Sequence, residues 1–273
     1  MARRIPPYVV LHKKRGETPL AAIEQWQLQN PSLASLPASY AGRLDPMAEG
    51  KLLVLLGDEC QKKDVYTKFD KEYVIEVLLD FETDTSDALG LPAYSTKETH
   101  PSRSEIQSIL VPLIGTHTVP YPAFSSKTVH GKPLFVYALE GTLDSIEIPT
   151  HEETIYRIKH QAMRRLPSAL LRELLEETLS VVPRSDEPSK ALGADFRQEV
   201  IRAGWRNLLT SIPEREFTIL TLRVSCASGT YMRTLAARIG EALETKAIAL
   251  SIKRTKIGTY RRLGPFGFWM RSF

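Results

Sequence analysis

Between Leu220 and Leu243 the apolar residues change their period. Leu220, Leu222, Val224 and Cys226 recur at every second position against Thr221, Arg223 and Ser225. After Ser228, Gly229 and Thr230, the residues Met232, Leu235, Ala236, Ile239, Ala242 and Leu243 recur at helical spacing. The first spacing marks a strand and the second an amphipathic helix, so this stretch predicts strand, tight turn and helix, with Thr230 as the N-cap. A second run at period two, Tyr73, Ile75, Val77, Leu79 and Phe81 against Glu76 and Asp80, predicts a half-buried strand. Val9, Val10 and Leu11 predict a short strand, and Thr18 followed by Pro19 a helix start, with Leu20, Ile23 and Trp26 on one face. The apolar run 52–56, closed by Gly57, fits a buried strand or a helix end. From Met163 to Arg215 the character turns helical. A stripe of Leu170, Leu171, Leu174, Leu175 and Leu179 is followed by a linker at 182–190 (VPRSDEPSK) and a second helix over 194–209. The expectation is an α+β fold, a mixed and mainly antiparallel sheet flanked by helices, with a helical insertion at about 162–215.

Composition narrows the function. With 42% apolar residues and 25% charged over 273 residues, the chain is no disordered segment. It lacks both the roughly 20 consecutive apolar residues of a membrane span and the apolar core of a secretory signal, which predicts a soluble cytoplasmic protein. Two cysteines, Cys60 and Cys226, support neither a disulfide framework nor a cysteine-based metal site. The net charge of +4 is unevenly spread: residues 1–16 hold five bases and no acid, residues 253–273 six bases and no acid, and the body is left with 25 bases against 32 acids. If the two ends meet, they form a patch fit for a phosphate backbone; the alternative is a pair of solvated tails.

Two groups stand out for chemistry. Asp45 sits between Leu44 and Pro46 in a loop flanked by Gly42 and Gly50, where proline removes a backbone donor and glycine admits left-handed geometry. From the residues alone it fits a turn or N-cap aspartate as well as a reactive carboxylate. Arg233 falls in the first turn of the predicted helix, against the macrodipole by roughly a few tenths of a kcal/mol, which marks it as a candidate for function.

Here the sequence meets a resemblance. Gly42-Arg43-Leu44-Asp45-Pro46-Met47-Ala48-Glu49-Gly50 and the apolar run after it resemble the catalytic loop of the TruB family of tRNA pseudouridine synthases. Further segments follow in the family's order: Lys71-Glu72-Tyr73; Thr83-Asp84-Thr85-Ser86-Asp87 with Gly90; Pro122 to Lys127 through Tyr137-Ala138; Gly229-Thr230-Tyr231-Met232-Arg233; and Lys253-Arg254-Thr255 with Gly258. The resemblance implies a pseudouridine synthase fold as a single catalytic domain over 1–273. It implies Asp45 as nucleophile, Arg233 as its ion partner, and Tyr73 stacked on the extruded uracil and helping to move the proton at C5. Substrate contacts are expected from Tyr40, Gly42, Arg43, Gly229 and Thr230, and phosphate or loop contacts from Lys13 and Lys127. Asp84 and Asp87 are expected to hold a turn by side-chain to backbone bonds. No metal and no other cofactor is implied. The partner is RNA, foremost the T-loop uridine 55 of tRNA, with no membrane involved and the chain acting as a monomer.

Some positions depart from the family. Tyr40-Ala41 stands where the family has His-Thr, and His12 to Pro19 keeps only Lys, Gly and Thr of the usual N-terminal pattern. Arg43 brings the loop close to that of ribosomal-RNA pseudouridine synthases, so ribosomal RNA is the alternative target. With 15 residues after Gly258, no C-terminal PUA domain is expected. The rival of another class is a non-catalytic RNA-binding or RNA-folding protein on the same fold.

Overall fold

The computed structural model describes residues 6–181, 197–263 and 266–273. Arg3, Arg4 and the linker expected at 182–190 lie outside the described residues, as does the start of the helix expected from 194. The chain runs β1 (Tyr8–Lys13), α1 (Pro19–Gln29), β2 (Ala38–Tyr40), β3 (Ala48–Leu56), α2 (Lys63–Thr67), β4 (Asp70–Leu79), β5 (Phe81–Thr83), β6 (Pro92–Tyr94), α3 (Arg103–Leu110) and β7 (Gly115–Pro120). It continues through β8 (Thr128–Val129), β9 (Lys132–Pro133), α4 (Leu134–Glu140), β10 (Thr150–Pro167), α5 (Ser168–Ser180), α6 (Gln198–Ser211), β11 (Glu216–Cys226), α7 (Met232–Ala242), β12 (Ala247–Leu263) and β13 (Phe266–Ser272). Among the described residues, nine strands form one sheet in the order β1-β3-β12-β4-β11-β10-β7, with β2 on β3 and β13 on β12. Every pairing in it is antiparallel except the short parallel one between β3 and β12. No described helix is long and apolar enough to cross a membrane.

The alternating residues of β4 and β11 form the centre of one layer. Tyr73, Ile75, Val77 and Leu79 share a cluster with Leu220, Leu222, Val224 and Cys226, closed by Met232, Leu235, Ala236 and Ile239 of α7 and by Ile106 and Leu110 of α3. On the other face Leu78, Phe217, Ile219 and Ile248 pack against Leu171, Leu175 and Leu179 of α5 and Ile201, Trp205 and Leu209 of α6. The strand expected to be half-buried therefore has apolar cover on both faces, and Leu78 is fully buried, because the insertion folds back onto the face that alternation alone would leave to solvent. That strand also ends earlier than its pattern: Asp80 takes a left-handed φ of 70°, and Phe81 begins β5.

Two more expectations change, and a third is decided between its alternatives. The helical insertion does not begin at about 162, since residues up to Pro167 continue β10 in register with β11, Met163 opposite Leu220 and Pro167 opposite Glu216. Helix begins at Ser168, whose hydroxyl donates to Pro213 O and Arg215 O and so ties the two ends of the insertion together. Thr18 does cap α1, accepting from Ala21 N, but Leu20 is exposed and Ala22 and Ile23 form the buried face. The run 52–56 is strand, the buried end of β3.

The insertion is fastened by a tryptophan. Trp205 is 1% exposed, its ring centroid lies 5.6 Å from that of Phe81, and its indole N–H donates to Ala88 O at 2.9 Å. Replacing it removes a large buried side chain and orphans a buried carbonyl. Trp205→Ala is expected to cost about 3–5 kcal/mol of unfolding free energy, measured by urea titration. A loss below about 1 kcal/mol would mean that the insertion adds little to the core.

Candidate active site

The loop between β2 and β3 is pinned from several sides, and Asp45 is what it leaves open. Leu44 and Met47 are both buried, Leu44 in the cluster under α7 and Met47 in the cluster under the insertion, so the neighbours of Asp45 anchor into opposite layers. Gly16 N donates to Pro46 O at 2.8 Å, and Ala41 N to Leu53 O at 2.8 Å. Two buried cations hold the loop's carbonyls. Lys13 Nζ donates to Ala48 O at 2.5 Å, while Arg254 donates through Nε to Lys51 O at 2.8 Å and through its two Nη atoms to Arg43 O and Gly42 O, both at 3.2 Å. Glycine is required where β3 meets β12: Gly50 has φ +107°, and a Cβ there would stand 2.3 Å from Arg254 O.

These two cations alter the charge expectation. Lys13 and Arg254 belong to the basic chain ends, yet both are buried under the loop. Lys13 is thus a loop contact and not a phosphate contact, and burial pushes its ammonium down to about 8 while Glu17 pulls the other way. The ends do meet, through the rings of Tyr8 and Phe273 at 4.9 Å, but Lys13 lies at the far end of β1 from that contact.

Arg233, second residue of α7, reaches the loop from the opposite side. Its side chain is 5% exposed; Nε donates to Asp45 Oδ2 at 2.8 Å, Nη1 to Thr85 O at 2.8 Å and Nη2 to Phe124 O at 3.0 Å. Burial works against its charge, and Asp45 and then Asp87, whose Oδ2 lies 3.7 Å from Nε, sustain it. Among the described residues no hydrogen bond reaches the other oxygen of Asp45, and the side chain is 34% exposed. The result is a carboxylate tethered by one oxygen, with the other available to a reacting atom.

Aromatic rings surround the pair. Tyr73 on β4 lies between Val224 and Arg254 in the sheet register, and burial pushes its hydroxyl up to about 12 although the Arg254 guanidinium beside it pulls down. Tyr231, which precedes α7, has its hydroxyl raised by burial and by Asp45, and its ring stands edge-on to Tyr121 and His151, themselves stacked with centroids 4.1 Å apart. Tyr231 is also the N-cap of α7. Thr230 is not, because its hydroxyl turns back to donate to Ala227 O.

The remaining expected residues divide. Gly42, with φ +88°, lies against Arg254 and Lys71, and Arg43 is exposed with no ion pair among the described residues. Lys127 is exposed with Nζ 5.1 Å from the Tyr121 ring centre, and Gly229 accepts from His151 Nε2 at 3.3 Å, which puts both at the rim of the aromatic group. Tyr40 is not brought to Asp45: it packs on the small cluster under α1, with Lys63 over its ring at 5.0 Å. Asp84 and Asp87 hold their turn as expected, accepting from Leu91 N and Leu89 N. Among the described residues no three His, Cys, Asp or Glu side chains gather as a metal site requires.

Sequence reading missed four participants: Asp87, Tyr231, Lys71 and Arg254. Period two could have found Lys71, which shares a face of β4 with Tyr73; its ammonium donates to Thr67 O and Ser228 Oγ, and burial pushes it down to about 8. The contacts of Arg254 and Asp87 cross from one element to another and have no local signal.

A carboxylate presented on a buried arginine beside two tyrosines, on a mixed sheet, defines an enzyme-like cleft, and comparison with known proteins gives its kinship. Residues 33–174, just over half of the chain, match the TruB family pseudouridylate synthase (N terminal domain), and the chain belongs to that family. It is 28% identical over 258 residues to the tRNA pseudouridine synthase B of Aromatoleum aromaticum, covering 94% of this chain and 65% of that protein. It is 26% identical over 257 residues to that of Borreliella burgdorferi, covering 93% and 70%. The chain therefore spans about two thirds of the length of these relatives. Among solved structures it resembles a Cbf5-Nop10-Gar1 complex with a TM-score of 0.54 at 17% identity, over 92% of this chain and 48% of that one, a likeness of fold.

The geometry predicts a pH signature for Asp87. Burial raises its carboxyl from 3.8 to about 6, so folding takes up a proton between those values, and the group's cost to stability grows as pH rises through that window and is complete above it. Asp87→Asn removes this component. The variant's unfolding free energy should gain on that of the native protein from pH 4 to 6 and run parallel to it above. A constant difference over pH 4–7 would show that Asp87 titrates normally.

Proposed function

We propose that this protein converts uridine to pseudouridine in RNA, with the T-loop uridine of tRNA as its first substrate. The observation that carries the reading is the half-exposed Asp45 held on Arg233, with Tyr73 and Tyr231 both near enough to feel its charge. Kinship with proteins named tRNA pseudouridine synthase B supports the choice of RNA.

The reaction breaks the bond between uracil N1 and ribose C1′, turns the base and forms a bond from C5 to C1′, with the C5 proton lost and a proton gained at N1. Asp45 serves as nucleophile, forming a covalent adduct that keeps the base and ribose from parting. Arg233 keeps that carboxylate ionised and aimed. Tyr73 offers a ring on which an extruded uracil stacks, and with its hydroxyl at about 12 it stays protonated at neutral pH, a neutral hydroxyl beside C5 and no ready phenolate. Tyr231 closes the other side, and Lys127 and Arg43 meet the flanking phosphates. We take the chain to act as one catalytic unit, because the insertion shares its core with the central sheet, and to work as a monomer in the cytoplasm, where its tRNA is found.

Asp45→Asn should lower pseudouridine formation by at least roughly 10³-fold, while the affinity for tRNA stays within about threefold. Pseudouridine-specific mapping of unmodified tRNA and ribosomal RNA transcripts after incubation is the assay. Retained turnover in the variant would remove Asp45 from the mechanism. A ribosomal signal alone would move the substrate, and binding with no pseudouridine from the native protein would favour an RNA-folding role.

A further inference from the structure

Behind Tyr73, on the other face of the sheet, lies a second polar site. Alternation along β4 turns Glu72 away from the Asp45 cleft, and the sheet register sets it beside Ser225 of β11 and Lys256 of β12, with Arg157 of β10 opposite Ser225. Helices α5 and α6 cover this face only where Leu78, Phe217 and Ile219 lie, and the row at Glu72 is left as a groove of about 230 Å³. Arg157, Lys159, Arg223 and Lys256 line it, with Trp269 of β13 as an aromatic wall.

The charges are arranged, not scattered. Glu72, its side chain 6% exposed, accepts from Arg223 Nη1 at 2.9 Å, Thr255 Oγ1 at 2.8 Å and Lys256 Nζ at 3.5 Å. It fixes two of the cations toward the groove and is the sole carboxylate in the lining. Arg157 and Lys159 are exposed and have no carboxylate partner among the described residues. Four cations against one buried acid leave the groove with an excess of positive charge that its own lining does not balance. Trp269, half-buried, stands edge-on to Tyr260 at 5.3 Å with Lys256 Nζ 5.6 Å from its ring centre.

We propose that this groove binds the phosphodiester backbone of single-stranded RNA, with a base laid against Trp269. Cations along a groove with an aromatic wall are the means by which single strands are held without sequence preference. At this volume, below the roughly 300–1,000 Å³ of enclosing ligand pockets, it takes a local segment and no folded duplex. The site is separate from the Asp45 cleft and does not depend on the isomerase reading.

The test uses a fluorescent octa-adenylate, which offers no uridine to the Asp45 cleft, and follows anisotropy from about 50 to 200 mM salt. The double variant Arg157→Ala/Lys159→Ala changes two exposed side chains and should weaken binding at least tenfold at low salt. It should also lower the slope of log affinity against log salt by about 1.4, the amount two lost contacts to a single strand account for. Trp269→Leu should weaken binding about fivefold or more. The double variant's turnover of a uridine-containing T-stem-loop should stay within twofold of the native protein, so loss of the groove and loss of the isomerase reading are told apart. Equal affinity of native and double variant would overturn the proposal. So would displacement of the octamer by inorganic phosphate at matched phosphate concentration, which means an adventitious ion only, or equal competition by an acidic peptide of the same charge.

Discussion

A guanidinium with 5% of its side chain exposed needs its charge matched and its donors filled, and Arg233 meets both needs only because three separate segments converge on it. Asp45 comes from the loop after β2, Thr85 and Asp87 from the turn after β5, and Phe124 from the segment after β7. Each of these would be misplaced if its own strand were misplaced. The first turn of α7, where a cation opposes the helix dipole, makes sense in this light: the local cost of roughly a few tenths of a kcal/mol is small beside the roughly several kcal/mol of leaving the buried guanidinium unpaired. Because two carboxylates share one guanidinium, Asp87 also sets the field in which Asp45 works. Burial raises Asp87, so its full charge faces Arg233 only above about pH 6.

The conformation of the Asp45 loop depends on the chain ends. Lys13 lies at the end of β1 and Arg254 on β12, and between them they fill the carbonyls of Gly42, Arg43, Ala48 and Lys51. Carbonyls buried along an irregular loop need donors, and here two buried cations from elsewhere supply them. Bases that composition suggested for an RNA surface are consumed in building the site. The positive surface that does exist behind Tyr73 joins one base of the C-terminal segment, Lys256, to three from the body of the chain, Arg157, Lys159 and Arg223.

How much of this the sequence carries follows from the range of each interaction. Strands β4 and β11 and helix α7 are legible because alternation and helical spacing are local, and the Asp45 loop because its glycines and proline constrain the backbone one residue at a time. Arg233 could be singled out since a cation in a first turn violates a local preference. The cover on the second face of β4 was not legible, because Leu78 follows the apolar Val77 and only the folded insertion decides which way solvent lies. Thr230 failed as N-cap for a similar reason: its hydroxyl has a nearer acceptor in Ala227 O, and the choice between two good local partners is made by the path of the turn. Tyr40 carries no pattern that separates a stacking ring from a packed one.

The insertion is more than cover for the sheet. Arg197, in left-handed geometry at the start of α6, places its guanidinium 4.8 Å over the Phe124 ring and 2.7 Å from Asp84 Oδ2, while Trp205 on the same helix donates to Ala88 O. These contacts fall on the residues next to Thr85, on Asp87's neighbour, and on Phe124 itself, the segments whose carbonyls and carboxylate hold Arg233. Arg15, one residue before the Gly16 that bonds Pro46, reaches Thr178 of α5 in the same way. A helix pair fastened to both walls of the cleft resists their separation, so the stiffness of the Arg233 socket is supplied from outside the central sheet. Interiors at close packing transmit such strain and do not absorb it, and loosening the insertion should therefore be felt at Asp45 before it is felt in the far strands.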